Sequence, residues 1–99
     1  MRVRLTRPAN GELAAVLERI KSESPSGAAR LARRFEEVLR KLADFPGLGR
    51  LTDEEGIRRV NLEPMPYMVL YETTDDAVVI HAIRHGARNP DTLRVGPKP

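Results

Sequence analysis

Two apolar runs separated by a short polar link decide most of what this chain can fold into. They are Pro66-Tyr67-Met68-Val69-Leu70-Tyr71-Glu72 and Ala77-Val78-Val79-Ile80-His81-Ala82-Ile83-Arg84, joined through Thr74-Asp75-Asp76. Both are rich in β-branched and aromatic residues, and the link leaves room only for a tight reversal, so the pair predicts an antiparallel β-hairpin. The second strand runs straight into Arg84, His85 and Arg88, with Gly86 as its breaker. Cations are thereby placed at the rim of a sheet, where a small protein meets phosphates or carboxylates.

The sheet has a cover upstream. Ala9, Leu13, Val16, Leu17 and Ile20 form one helical stripe over about Arg7–Glu23, with Thr6 as cap and Pro8 in the first turn. Pro25 disfavours helix at Ser24, which then caps a second helix running to about Ala43. The second stripe is Ala28, Leu31, Ala32, Phe35, Val38, Leu39 and Leu42, and the opposite face carries Arg30, Arg33, Arg34, Glu37, Arg40 and Lys41. That arginine-rich face reads first as a solvated one. Two amphipathic helices joined by so short a break form an antiparallel hairpin.

Arg2-Val3-Arg4-Leu5-Thr6 alternates strictly and reads as an opening strand. Asp44-Phe45-Pro46-Gly47-Leu48-Gly49-Arg50 ends the second helix in an irregular turn, with Phe45 and Leu48 expected to plug the end of the helical hairpin and Arg50 to tie the loop down. Ile57–Leu62 is the next strand, after the acidic loop Asp53-Glu54-Glu55-Gly56. The order is β-α-α-β-β-β. It predicts an α+β fold of two layers, an antiparallel sheet packed by an N-terminal helical hairpin, in one domain over residues 1–99 with 95–99 a flexible tail.

Composition narrows the function. No cysteine means no disulfide and no thiolate metal site. His81 and His85, four apart on a strand, would share a face but sit too far apart for joint ligation, so neither a metal nor another cofactor is expected. No apolar run approaches the roughly 18 residues of a membrane span, and the N-terminus lacks a signal-peptide core, so the expected location is cytoplasmic. Residues 1–50 hold eleven Lys/Arg against six Asp/Glu, and residues 51–99 hold six against eight. The cations are mostly arginines, suited to bidentate grip on carboxylate or phosphate.

Taken in order, the opening strand and helical hairpin, Phe45-Pro46-Gly47-Leu48-Gly49-Arg50, Ile57-Arg58-Arg59-Val60, Pro66-Tyr67-Met68-Val69-Leu70-Tyr71 and Ile80-His81-Ala82-Ile83-Arg84-His85-Gly86-Ala87-Arg88 resemble the RelE/ParE superfamily of small toxins from type II toxin–antitoxin systems. The resemblance implies a cognate antitoxin as partner, growth inhibition, a part in plasmid stabilisation, and homodimers in some members. It implies one of two activities: poisoning of DNA gyrase, as in ParE-like members, or cleavage of mRNA on the ribosome, as in RelE-like members. The ending Ile-Arg-His-Gly-Ala-Arg-Asn-Pro is similar to the ParE type.

Metal-free RNA cleavage needs a base for the 2′-OH, cations around the phosphorane and a proton for the leaving oxygen. Arg59 and Arg84 would be the cations and His85 the proton donor if the chain is a nuclease. No tyrosine follows Tyr71, and aromatic residues to stack bases are scarce. With the ParE-like ending, the resemblance implies gyrase poisoning as the favoured reading, with ribosome-dependent mRNA cleavage and an inactive antitoxin-binding module as alternatives. In every case Arg58, Arg59, Arg84, His85 and Arg88 are the candidate target- or antitoxin-binding residues. Arg58 and Arg59, being neighbours on a strand, point to opposite faces. His81, mid-strand, reads as structural, and Tyr67 and Tyr71 share a face with Val69.

Overall fold

The computed structural model describes residues 1–86. The elements run β1 (Arg2–Leu5), α1 (Arg7–Glu23), α2 (Pro25–Asp44), β2 (Arg50–Leu51), β3 (Arg58–Asn61), β4 (Tyr67–Thr73) and β5 (Ala77–His85). Thr6 caps α1 by accepting the Ala9 N–H at 3.2 Å. Ser24 serves both helices: its N–H donates to Ile20 O at 2.7 Å, closing α1, and its hydroxyl accepts the Gly27 N–H at 3.0 Å, opening α2. Pro25 fits the first turn of α2, where a missing N–H costs nothing.

The sheet has five strands in the order β1-β5-β4-β3-β2. It is mixed rather than wholly antiparallel, because β1 lies parallel to β5 with Arg2 opposite Ala77 and Leu5 opposite Ile80. Each connection in this fold reverses the chain. The two-residue strand β2, paired through Arg50–Arg59 and Leu51–Arg58, adds one reversal to the expected order. One more reversal turns an antiparallel β1–β5 pair into a parallel one. Two residues carry no periodicity, so β2 leaves no mark on the sequence.

Helices and sheet share the main core. Leu31, Phe35, Val38 and Leu42 of α2 meet Tyr67, Val69 and Tyr71 of β4 and Val78, Ile80 and Ile83 of β5, with Val3, Leu5, Leu13, Val16 and Ile20 packed around them. Each fully buried large apolar side chain there contributes about 1.5–3 kcal/mol. A smaller cluster, Ile57, Met68, Leu70 and Ala82, lies on the sheet face turned away from the helices. Phe45 and Leu48 do not plug the hairpin end; they are 66% and 50% exposed. The chain turns there on the Leu48 N–H to Phe45 O bond, so both side chains leave the core side.

A β-bulge controls the catalogue of faces. Tyr71 pairs with Ile80 and Leu70 with Ala82, so His81 has no partner in the register. The extra residue resets the alternation. Val78 and Ile80 face the helices before it, and Ile83 and His85 after it. His81 and His85 therefore do not share a face, contrary to simple period-two counting. His81 instead meets Glu72 on the far face, Nε2 to Oε1 2.6 Å. Arg88 and residues 95–99 lie outside the described residues.

Candidate functional site at the ends of β3, β4 and β5

The cationic residues share neither one end of the sheet nor one surface: Arg84 and His85 stand opposite Met68 and Tyr67 where β5 ends, while Arg58 and Arg59 open β3 further along, opposite Tyr71 and Leu70. Arg58 sits opposite Tyr71 and Arg59 opposite Leu70, so the two arginines emerge on opposite faces. Arg59 lies on the face away from the helices, where its Nε donates to Asn61 Oδ1 at 3.1 Å. Beside it is a cleft of about 320 Å³ walled by Arg59, Asn61, Tyr67, Gly86 and the turn from Glu63 to Pro66, so that the carboxylate of Glu63 faces it along with the guanidinium. The wall is fixed by backbone bonds: Gly86 N to Pro66 O at 2.9 Å, and Leu62 N to Tyr67 O at 2.9 Å.

Arg84 is placed differently. Opposite Met68 in the register, it is only 7% exposed, and its Nη2 lies 3.8 Å from Glu12 Oε2. The other Glu12 oxygen accepts the Ile83 N–H at 3.0 Å. β1 ends its pairing at Ile80, so the edge of β5 beyond that point needs an acceptor, and a helix side chain supplies it. Arg84 thus joins the sheet to α1.

His85 faces the helices, its ring edge-on to Tyr67 with centroids 5.4 Å apart. The Tyr67 hydroxyl accepts from Arg19 Nη2 at 2.9 Å. Arg58 is directed at the chain after α2: its Nη1 donates to Gly49 O at 2.7 Å. There the Gly49 N–H donates to Tyr71 Oη at 2.8 Å, and the Tyr71 hydroxyl donates to Pro46 O at 2.8 Å. Burial pushes the Tyr71 phenol above its ordinary 10.0, against the smaller opposing pull of the Gly49 N–H and the Arg58 charge. The Pro46–Arg50 turn is thereby clamped to β4.

Chemically, the arrangement offers Arg59 beside a shaped cleft, His85 on the opposite face against an aromatic ring, and Arg84 held at a strand edge by a carboxylate. Arg59 and His85 are half-buried and reach solvent on opposite faces, whereas Arg84 is buried. Among the described residues no group of three or more His, Asp or Glu side chains is placed to hold a metal, and no helix is long and apolar enough to cross a membrane.

Sequence reading missed Glu12, Arg19 and Asn61 as members of this cluster. Glu12 carries a signal: it falls three residues after Ala9 and four before Val16, on the buried stripe of α1. A carboxylate on such a stripe needs an interior partner. Arg19 and Asn61 carry none, since their partners are fixed only by tertiary packing.

Comparison with known proteins agrees with this architecture. Residues 3–90 match the family model described as the ParE toxin of the type II toxin–antitoxin system parDE. Toxin RelE2 of Caulobacter vibrioides is 36% identical over 77 residues, covering 78% of this chain and 85% of that protein. Toxin ParE2 of Mycobacterium tuberculosis is 47% identical over 36 residues, covering 36% of this chain and 34% of that protein. A solved structure of a chromosomal ParDE TA system from P. aeruginosa superposes with a TM-score of 0.75 at 23% identity, over 86% of this chain and 95% of that one, and so shares its fold.

Proposed function

The chain belongs to the ParE toxin family of type II toxin–antitoxin systems, and from that premise we propose that it poisons DNA gyrase and is held inactive by a cognate antitoxin. The observation that carries the choice of target is the dispersal of Arg59, Arg84 and His85. In-line attack on a phosphodiester needs base, acid and cation around one phosphorus. Here the histidine faces the helices against Tyr67, Arg59 faces away from them, and Arg84 is ion-paired to Glu12. A set split in this way favours binding over RNA chemistry.

The antitoxin reading has its own support. A groove of about 390 Å³ runs between the two helices over Ala14, Leu17, Lys21, Ala28, Ala29 and Ala32. Small side chains along its floor allow close approach of an apolar helix face, the helix-in-groove mode of recognition.

Purified protein added to gyrase and relaxed plasmid is expected to block supercoiling or to trap cleaved DNA, with the effect abolished by the antitoxin. Unaltered supercoiling at excess toxin, together with ribosome-dependent cuts in translated mRNA that vanish in His85→Ala, would replace this reading with the nuclease one.

A further inference from the structure

On the flank of α2 opposite the inter-helix groove lies a second concavity of about 540 Å³, between α2 and the turn before β4, walled by Arg30, Arg33, Arg34, Glu37, Pro64 and Met65. At 100° per residue, Arg30, Arg33, Arg34 and Glu37 fall on one side of the buried stripe, and Ala29 and Ala32 on the other. The two surfaces are therefore separate.

The charges of the concavity are unevenly committed. Arg34 is spent: Nε donates to Glu63 O at 2.6 Å, and Nη1 pairs with Glu37 Oε1 at 3.2 Å. The side chains of Arg30 and Arg33 form no hydrogen bond or ion pair with any described residue. They stand one helical turn apart on an exposed flank, close enough for one partner segment to meet both. Facing them is Met65, half-buried with its underside on the main core, next to exposed Pro64. A thioether fixed at its base adapts its tip to an incoming apolar side chain.

We propose that this concavity docks an acidic segment of a partner protein, with carboxylates on Arg30 and Arg33 and an apolar side chain on Met65. Guanidinium forks match carboxylates in bidentate geometry. A nucleic-acid backbone fits less well. Only two uncommitted cations are present, Glu37 repels a phosphate at the end of the groove nearest Arg34, and no aromatic residue lines it to stack a base. The surface stands apart from the helix groove assigned to the antitoxin and does not depend on which target the toxin has.

The test is fluorescence anisotropy with a short labelled peptide alternating glutamate and leucine, run on the full chain. The peptide is expected to bind with an affinity that falls with salt and drops roughly tenfold, about 1.4 kcal/mol, in Arg30→Ala/Arg33→Ala. It should also weaken in Met65→Ala and be unchanged in Asp75→Asn, an exposed position in the β4–β5 turn. Circular dichroism keeps loss of binding distinct from loss of fold. The idea is overturned if the double variant binds the peptide as tightly as the parent. It is equally overturned if a glutamine-for-glutamate peptide binds as well, or if a single-stranded oligonucleotide, and not the peptide, is the ligand those variants lose. Growth arrest on induction, measured alongside, reports the toxin reading independently, because peptide binding needs no gyrase.

Discussion

Tyr71 and Gly49 illustrate how single residues set the geometry on which the rim depends. Tyr71 is fully buried, yet its hydroxyl accepts from Gly49 N–H and donates to Pro46 O. Tyr71→Phe would strand both groups, and a buried unsatisfied polar group costs about 1–3 kcal/mol. Gly49 admits no side chain. A Cβ there would stand 2.6 Å from Arg59 O and 2.9 Å from the Tyr71 ring, and the first obstacle is backbone. Gly49→Ala is expected to lower stability by about 1–3 kcal/mol, read as a drop in the urea midpoint. The phenol adds a pH signature. Its native pKa lies above the 10.0 of the unfolded chain, so above that pH the unfolded state has given up a proton that the native state keeps. Stability then falls as pH rises through that window. Urea midpoints measured on either side of pH 10 should show this loss in the parent and a smaller one in Tyr71→Phe.

At the scale of elements, the helices and the long hairpin follow from local rules. The Ser24-Pro25 break separates α1 from α2 because one hydroxyl can cap a helix while proline starts it. Ser24→Ala should therefore cost about 1 kcal/mol in thermal or urea unfolding. Gly11 gives the opposite sign. It lies inside α1 with open space where a Cβ would go, and Gly11→Ala is expected to stabilise by about 0.5–1 kcal/mol. A common direction for the two changes would mean that capping and propensity do not govern this hairpin. What the sequence hid at this scale are features without a period. The bulge at His81 inserts one residue between the Ile80 and Ala82 pairings, and the period-two reading cannot place an unpaired residue. It reverses the faces of Arg84 and His85, the two residues on which the catalytic alternative most depends. Arg58 and Arg59, by contrast, lie beyond any irregularity in β3, and their opposite faces were legible from adjacency alone.

For the molecule as a whole, the consequential contact is the one that joins the layers at the end of β5. Glu12 on α1 completes the strand edge at Ile83 and lies beside the guanidinium of Arg84, across 71 residues of sequence to Ile83. The rim arginine singled out from the sequence is thus part of the scaffold, whatever else it touches. Removing either member leaves the other without this partner. Glu12→Ala and Arg84→Ala are each expected to destabilise by about 1–3 kcal/mol, less than a fully buried pair because the carboxylate is partly exposed. The double variant should cost less than the sum of the singles, with a coupling of about 0.5 kcal/mol or more. Glu12→Gln keeps an acceptor for the Ile83 N–H and should recover part of the loss. Strict additivity in that cycle would mean that the 3.8 Å contact carries no energy. The same cycle run on gyrase inhibition separates structure from function. If Glu12→Ala, at a temperature where it is fully folded, loses activity in step with Arg84→Ala, then Arg84 acts by holding the rim in place. If Glu12→Ala keeps full activity while Arg84→Ala loses it, the guanidinium itself meets the target, and Arg59 on the same sheet face is the next residue to change.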